Sequence, residues 1–155
     1  MSVRYSTLAL DIKTKLGNIP GTGIVHTYER QAVDLSKFIA LFKDPTGKIC
    51  GWEITRRAVP EQFSGAVMRV HHMVLNGYMG LQDAMATSVT FQDLCDSICD
   101  AFRLAEAPPG ATWQYRDGSE PSNTAAQVEM IEDRTFGSVL CHHAVISINI
   151  TERIL

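Results

Sequence analysis

Residues 138–151 constrain the fold of this chain more than any other segment. Leu140, His142, Ala144, Ile146, Ile148 and Ile150 occupy alternate positions. An extended backbone places all six on one face. A strand this long and this one-sided is either central to a sheet or clamped by helices. The rest of the chain supplies partners in a readable order. Ser2 or Ser6 is placed to cap a first helix carrying Tyr5, Leu8, Ile12 and Leu16 at helical spacing, and Gly17 stops it. Residues 24–30 read as a strand by β-branched and aromatic content. Asp34 then caps a short helix with Leu35, Phe38, Ile39 and Phe42 on one side.

Asp44-Pro45-Thr46-Gly47 is a turn, with proline and glycine where a turn favours them. Two strands follow at about 48–58 and 66–76, joined through 60–65 as an antiparallel pair. Alternation in the first puts Cys50, Trp52 and Ile54 on one face and Glu53, Thr55 and Arg57 on the other. Gly77 and Gly80 end the second. A long helix runs from Ala84 or Thr90 to Leu104, with Phe91, Leu94, Cys95, Ile98 and Phe102 as its apolar stripe. Asp93, Asp96 and Asp100 line a different side. Residues 126–133 form the penultimate strand. The expected fold is α+β: a mainly antiparallel sheet of about four to five strands flanked by helices, in the order α-β-α-β-β-α-β-β. The 155 residues form one domain with an exposed loop at about 107–124, in which Trp113 and Tyr115 either pin the loop to the body or offer a docking surface.

Composition narrows the function classes. A net charge of −3 argues against sequence-independent nucleic-acid binding, leaving only a local basic spot at Lys48, Arg56 and Arg57. No apolar run approaches the ~20 residues of a membrane span. Arg4, Asp11, Lys13 and Lys15 interrupt any secretory leader, so a reducing cytoplasm is the expected site of synthesis. In that compartment the sequon Asn149-Ile150-Thr151 carries no glycan, and the four cysteines are expected as buried free thiols. Cys95 and Cys99, four apart on a helix, would make a strained disulfide.

The densest chemistry is His71-His72 with Cys141-His142-His143. If the two strands are neighbours, His72, Cys141 and His142 could bind zinc, with Cys95 or Cys99 as further donors. Adjacent strand residues point to opposite faces, so each pair offers one imidazole per face, and half-buried structural histidines are the favoured reading. Gly21-Thr22-Gly23 lacks the third glycine of a dinucleotide fingerprint and precedes a strand. Neither a P-loop nor a Gly-x-Ser-x-Gly nucleophile elbow occurs. Glu129, Glu132 and Asp133 read as a solvated strand end beside Arg134. Arg56 and Arg57 face opposite ways on their strand, so one can pair locally while the other meets a partner.

Several segments in this order resemble the tail terminator, or tail completion, proteins of long-tailed bacteriophages. They are residues 23–30 (GIVHTYER) with the short helix after them, Gly51-Trp52-Glu53-Ile54, residues 77–83 (GYMGLQD) before the long helix, and Val128-Glu129-Met130-Ile131 leading through Phe136-Gly137 into the closing strand. The resemblance spans nearly the whole chain and rests on no single diagnostic motif. It implies a virion structural protein, made in the host cytoplasm and placed at the head-proximal end of the tail. There a homo-oligomeric ring, expected to be a hexamer, ends tube polymerisation and offers a surface for head-tail joining. Its implied partners are itself, the tail tube protein and the neck or connector proteins, with DNA passing through the ring unbound and no membrane involved. No cofactor, metal or catalytic residue is implied. The rival expectations are a neck or baseplate adaptor of similar fold and a small metal-dependent enzyme using the His/Cys cluster.

For assembly, the residues singled out are Arg56, Arg57, Tyr78, Met79, Trp113 and Tyr115, because interface hot spots favour large aromatic and guanidinium groups. Asp93, Asp96 and Asp100 would face the lumen of a ring, where like charge keeps DNA from sticking.

Overall fold

The closing strand pairs along both of its sides, and the fold is built outward from it. The structure, a computed structural model, describes residues 1–30, 32, 34–115, 125–136 and 138–154. In chain order the elements are α1 (Tyr5–Gly17), β1 (Ile24–His26), α2 (Leu35–Phe42), β2 (Cys50–Ala58), β3 (Glu61–Phe63), β4 (Val67–Gly80), a 3-10 turn (Asp83–Met85), α3 (Thr87–Arg103), β5 (Trp113–Gln114), β6 (Ala126–Phe136) and β7 (Val139–Ile154). The strands form one sheet in the order β1-β2-β4-β7. β3 continues the β2 side of β4, while β5 and β6 share the far side of β7. All pairings are antiparallel except β1 with β2, which is parallel.

The α+β class therefore holds, and the sheet is mixed: mainly antiparallel, with one parallel pair. Two short strands, β3 and β5, exceed the expected count. β3 was read as plain connection, but the chain resumes pairing with β4 after an irregularity at the end of β2. β1 is shorter than the expected 24–30. The expected Ser2 or Ser6 cap is absent: Arg4 precedes α1 without a side-chain cap. Asp34 does cap α2, its carboxylate accepting from Lys37 N at 2.9 Å.

Gly77 was expected to end a strand, yet β4 runs on to Gly80. The reason is a cross-strand pair: Gly77 sits opposite Trp52, whose indole lies flat over the glycine and stacks on Phe91. A missing side chain here makes room for a neighbour's ring instead of breaking the ladder.

Alternation divides the core in two. Trp52, Ile54, Met73, Leu75, Ala144, Ile146 and Ile148 face α1 and α3, which contribute Leu8, Ile12, Leu16, Phe91, Ile98 and Phe102 to the main core. The opposite face carries a smaller cluster in which Phe38 and Phe42 of α2 cover Tyr78 and Cys141. Each large apolar side chain removed from water in this way is worth about 1.5–3 kcal/mol before entropy is counted. A bulge at Glu129 shifts the register of β6 against β7. Because side chains alternate, that one residue turns Ala126 and Val128 toward the main core but Phe136 toward the α2 cluster.

Candidate functional site

The residues considered for a metal do not meet. His72 Nδ1 contacts Asn149 Oδ1 at 2.8 Å, while Cys141 lies in the α2 cluster and His142 on the α3 face. His72 is in register with Asn149, eight residues along β7 from Cys141. At strand spacing that is about 26 Å. No group of three or more His, Cys, Asp or Glu side chains able to hold a metal ion occurs among the described residues. Cys95 and Cys99 are buried in the core. All four cysteines are free and buried, as expected. Burial pushes the Cys50 and Cys141 thiols up to about 11 and the Cys95 thiol to about 12.

His72 is half-buried, as expected, whereas His71, His142 and His143 are more deeply buried, and each has a polar neighbour. His71 and Glu152 are both inaccessible, with Nε2 and Oε2 2.8 Å apart. The other Glu152 oxygen accepts from Val3 N at 2.6 Å, and Arg69 lies 3.8 Å away, bridging on to Glu61 at 3.1 Å. Desolvation outweighs the carboxylate and holds the His71 pKa below its ordinary value. On the opposite face Glu53 accepts from Tyr78 Oη and from Arg30 N, both at 3.0 Å. Burial raises the Glu53 carboxyl, and the Tyr78 phenol is raised by burial and by that same carboxylate. His143 stacks on Tyr78 and is lowered by burial.

A third group joins α3 to the sheet. Asp133 Oδ1 accepts from His142 Nδ1 at 2.6 Å, and the Thr87 hydroxyl lies 2.8 Å from His142 Nε2. A carboxylate, an imidazole and a hydroxyl in this order can activate the hydroxyl. Here the hydroxyl also accepts from Gln82 N at 2.9 Å and thereby secures the first turn of α3. Ala86, just before it, is left-handed (φ 52°). Asp133 and Glu132 are solvent-accessible, as read, and they also reach His142 and His143.

Three of the residues expected to be exposed for docking are not. Trp113 and Tyr115 are buried in the main core, stacking edgewise on each other, and the Tyr115 hydroxyl donates to Asp11. They pin the loop, because β5 pairs with β7 and carries them inward. The remainder of that loop, from 116 to 124, lies outside the described residues. Tyr78 is buried under α2, and Met79, on the other face, is half-buried. Arg56 lies over the Tyr5 ring and 3.4 Å from His71 Nδ1, so it serves the interior. Arg57 is exposed. Asp93, Asp96 and Asp100 are all exposed on the side of α3 away from the core, Asp100 pairing with Arg103.

The exposed apolar residues lie elsewhere. Phe63, at the end of β3, is 79% exposed. At the other end of β4, Met85 and Leu140 are 61% and 48% exposed and line a groove of about 460 Å³. Ile49, Met79 and Leu81 add to its apolar wall, and Asp44, Lys48 and Thr87 are among its polar lining. Phe63 and Met85 stand apart from any apolar repeat that would mark them, whereas Leu140 shares the alternation of the closing strand and is nonetheless exposed near its start. Neither a scan of protein-family models nor a search of curated proteins returns a match to this chain.

Proposed function

We propose that this chain is a virion structural protein of a long-tailed bacteriophage. It acts as the tail terminator: a homo-oligomeric ring that caps the head-proximal end of the tail tube and receives the neck or connector. The observation that carries the reading is where the polar and apolar side chains lie. His71 with Glu152, His142 with Asp133 and Tyr78 with Glu53 are hydrogen-bonded in pairs, whereas large apolar side chains remain exposed, among them Phe63, Met85 and Leu140 at the two ends of β4. Such a molecule is suited to work through surfaces. The outward row of Asp93, Asp96 and Asp100 fits a lumen along which DNA slides without sticking, since like charges repel.

The test is genetic and visual. A phage lacking the protein should make tails of excessive length, and the purified protein should appear as rings in negative stain. Tails of normal length without heads would instead assign it to the neck, and normal tails without tips to the baseplate. Finding the protein confined to the infected cell and missing from virions would overturn the reading.

A further inference from the structure

The sheet face opposite the main core is covered at one end by α2. Beside that cover lies a cavity of about 290 Å³, at the small end of ligand sites. Its floor is Glu53, Tyr78 and His143, each more than nine-tenths buried, and exposed Glu29, Arg57 and Arg134 form its rim. Two floor groups lack the partners that burial demands. Glu53 receives hydrogen bonds from Tyr78 Oη and Arg30 N, both neutral donors, and among the described residues no cationic nitrogen pairs with it. Buried carboxylates are otherwise paired with a cation. His143 Nδ1 is buried without a hydrogen-bond partner, Glu132 being 3.5 Å away. Burial keeps that imidazole neutral, so Nδ1 accepts when the ring proton is on Nε2. The rings of Tyr78 and Phe136, packed edge to face, also line the cavity and favour a cation there.

The rim carries the opposite need. Arg57 pairs with no carboxylate among the described residues, and Arg134 reaches the exposed Glu132 only at 3.6 Å. The remaining charge, Glu29, adds to the negative pole: burial first, and Glu29 after it, raise the Glu53 carboxyl. We propose that this cavity binds a small zwitterion, a free amino acid, with its ammonium against Glu53 and its carboxylate against Arg57 and Arg134. A cation alone would leave two guanidinium groups facing it. An anion alone would sit against Glu53 and Glu29. A ligand of both signs matches the whole lining, and guanidinium forks suit a carboxylate in particular. Nothing in this site depends on a second subunit, so the inference stands apart from the ring reading.

Thermal unfolding of the full-length chain with each common amino acid in turn, and with 4-aminobutyrate, is the first measurement. At least one should raise the melting temperature by about 2 °C or more at millimolar concentration. The strongest is then titrated by calorimetry beside its methyl ester, which lacks the carboxylate, and its N-acetyl derivative, which lacks the ammonium. Each derivative should bind at least about tenfold more weakly. Arg57→Ala combined with Arg134→Ala removes exposed side chains, so the fold is not at risk. It should weaken the amino acid about tenfold or more and leave the methyl ester unchanged. Glu53→Gln should weaken both; if that chain fails to fold, the arginine variant and the two derivatives decide. No stabilisation by any of these compounds overturns the inference. An N-acetyl derivative that binds as tightly makes this an anion site, and an ester that does so makes it an amine site, open to a lysine side chain; either overturns it. Unchanged affinity in the arginine variant, or in a folded Glu53→Gln, places the ligand elsewhere and overturns it too.

Discussion

Replacing Gly77 with alanine tests the claim that this glycine exists to seat an indole. A Cβ at position 77 would lie 2.3–2.5 Å from three carbons of the six-membered ring of Trp52. Contacts below about 3 Å cannot persist, so either the ring or β4 must move by an ångström. Trp52 is inaccessible and stacked on Phe91 at a centroid distance of 5.9 Å, which leaves the ring no free direction. Overpacking of a tight core costs about 1–3 kcal/mol, and a clash with an aromatic ring held on both sides belongs at the upper end. A loss of about 3 kcal/mol lowers the melting temperature of a domain this size by about 6–12 °C.

The assay is urea unfolding followed by tryptophan fluorescence, at one fixed protein concentration so that assembly does not shift the midpoint. Gly80→Ala is the control, since its added Cβ meets Ile49 at an ordinary 3.6 Å. It should change stability by less than about 0.5 kcal/mol. Trp52→Leu supplies the decisive background: with the ring gone, Gly77→Ala should cost at least about 1 kcal/mol less than in the wild type. An unchanged midpoint for Gly77→Ala, or the same cost with and without the indole, would refute the reasoning.

Other outcomes follow from the buried polar groups. Glu152→Ala strands the Val3 amide and the neutral His71 imidazole, so unfolding should become easier by about 1–3 kcal/mol for each stranded group, with fast hydrogen exchange at Val3 as the local sign. Burial lowers His71 and His143 from 6.5, so the unfolded chain binds more protons below that value. The stability due to these neutral rings is complete above pH 6.5 and is lost as pH falls through 6.5 toward the folded values, seen as falling urea midpoints that His143→Gln flattens. The raised carboxyl of Glu53 acts in the opposite sense, its contribution being present below 4.5 and lost as pH rises through its folded value. Thr87→Val removes the acceptor of the Gln82 amide and should cost about 1 kcal/mol, measurable as faster hydrogen exchange at Gln82. The four native thiols should resist a water-soluble disulfide reagent until the chain unfolds, so that their labelling rate reports global opening.

Elements with long or strong local signals were legible in the sequence. The alternation in β7, the stripe of α3 and the Asp34 cap all rest on neighbouring residues, and neighbours are what a sequence displays. The misreadings were of another kind. Gly77 looks like a terminator until Trp52, twenty-five positions earlier, is known to lie across from it. Trp113 and Tyr115 sit in a segment with loop composition, and only pairing with β7 turns them inward. Likewise, the histidines of β4 gave no hint of their partners. Glu152 and Asn149 are far from them along the chain and become contacts only once the strand register is fixed.

That β7 pairs along both sides and comes last of the strands has a consequence during synthesis on the ribosome. It leaves the exit tunnel after every other described element, and until it does β4 has an open flank and the apolar side of α3 faces water. Nascent chains would therefore wait in an unfinished, adhesive form whose bare β4 edge can pair with the wrong neighbour. A cell translating this message at high density would feel that hazard most, and slow translation ahead of residue 139 would lengthen the exposure.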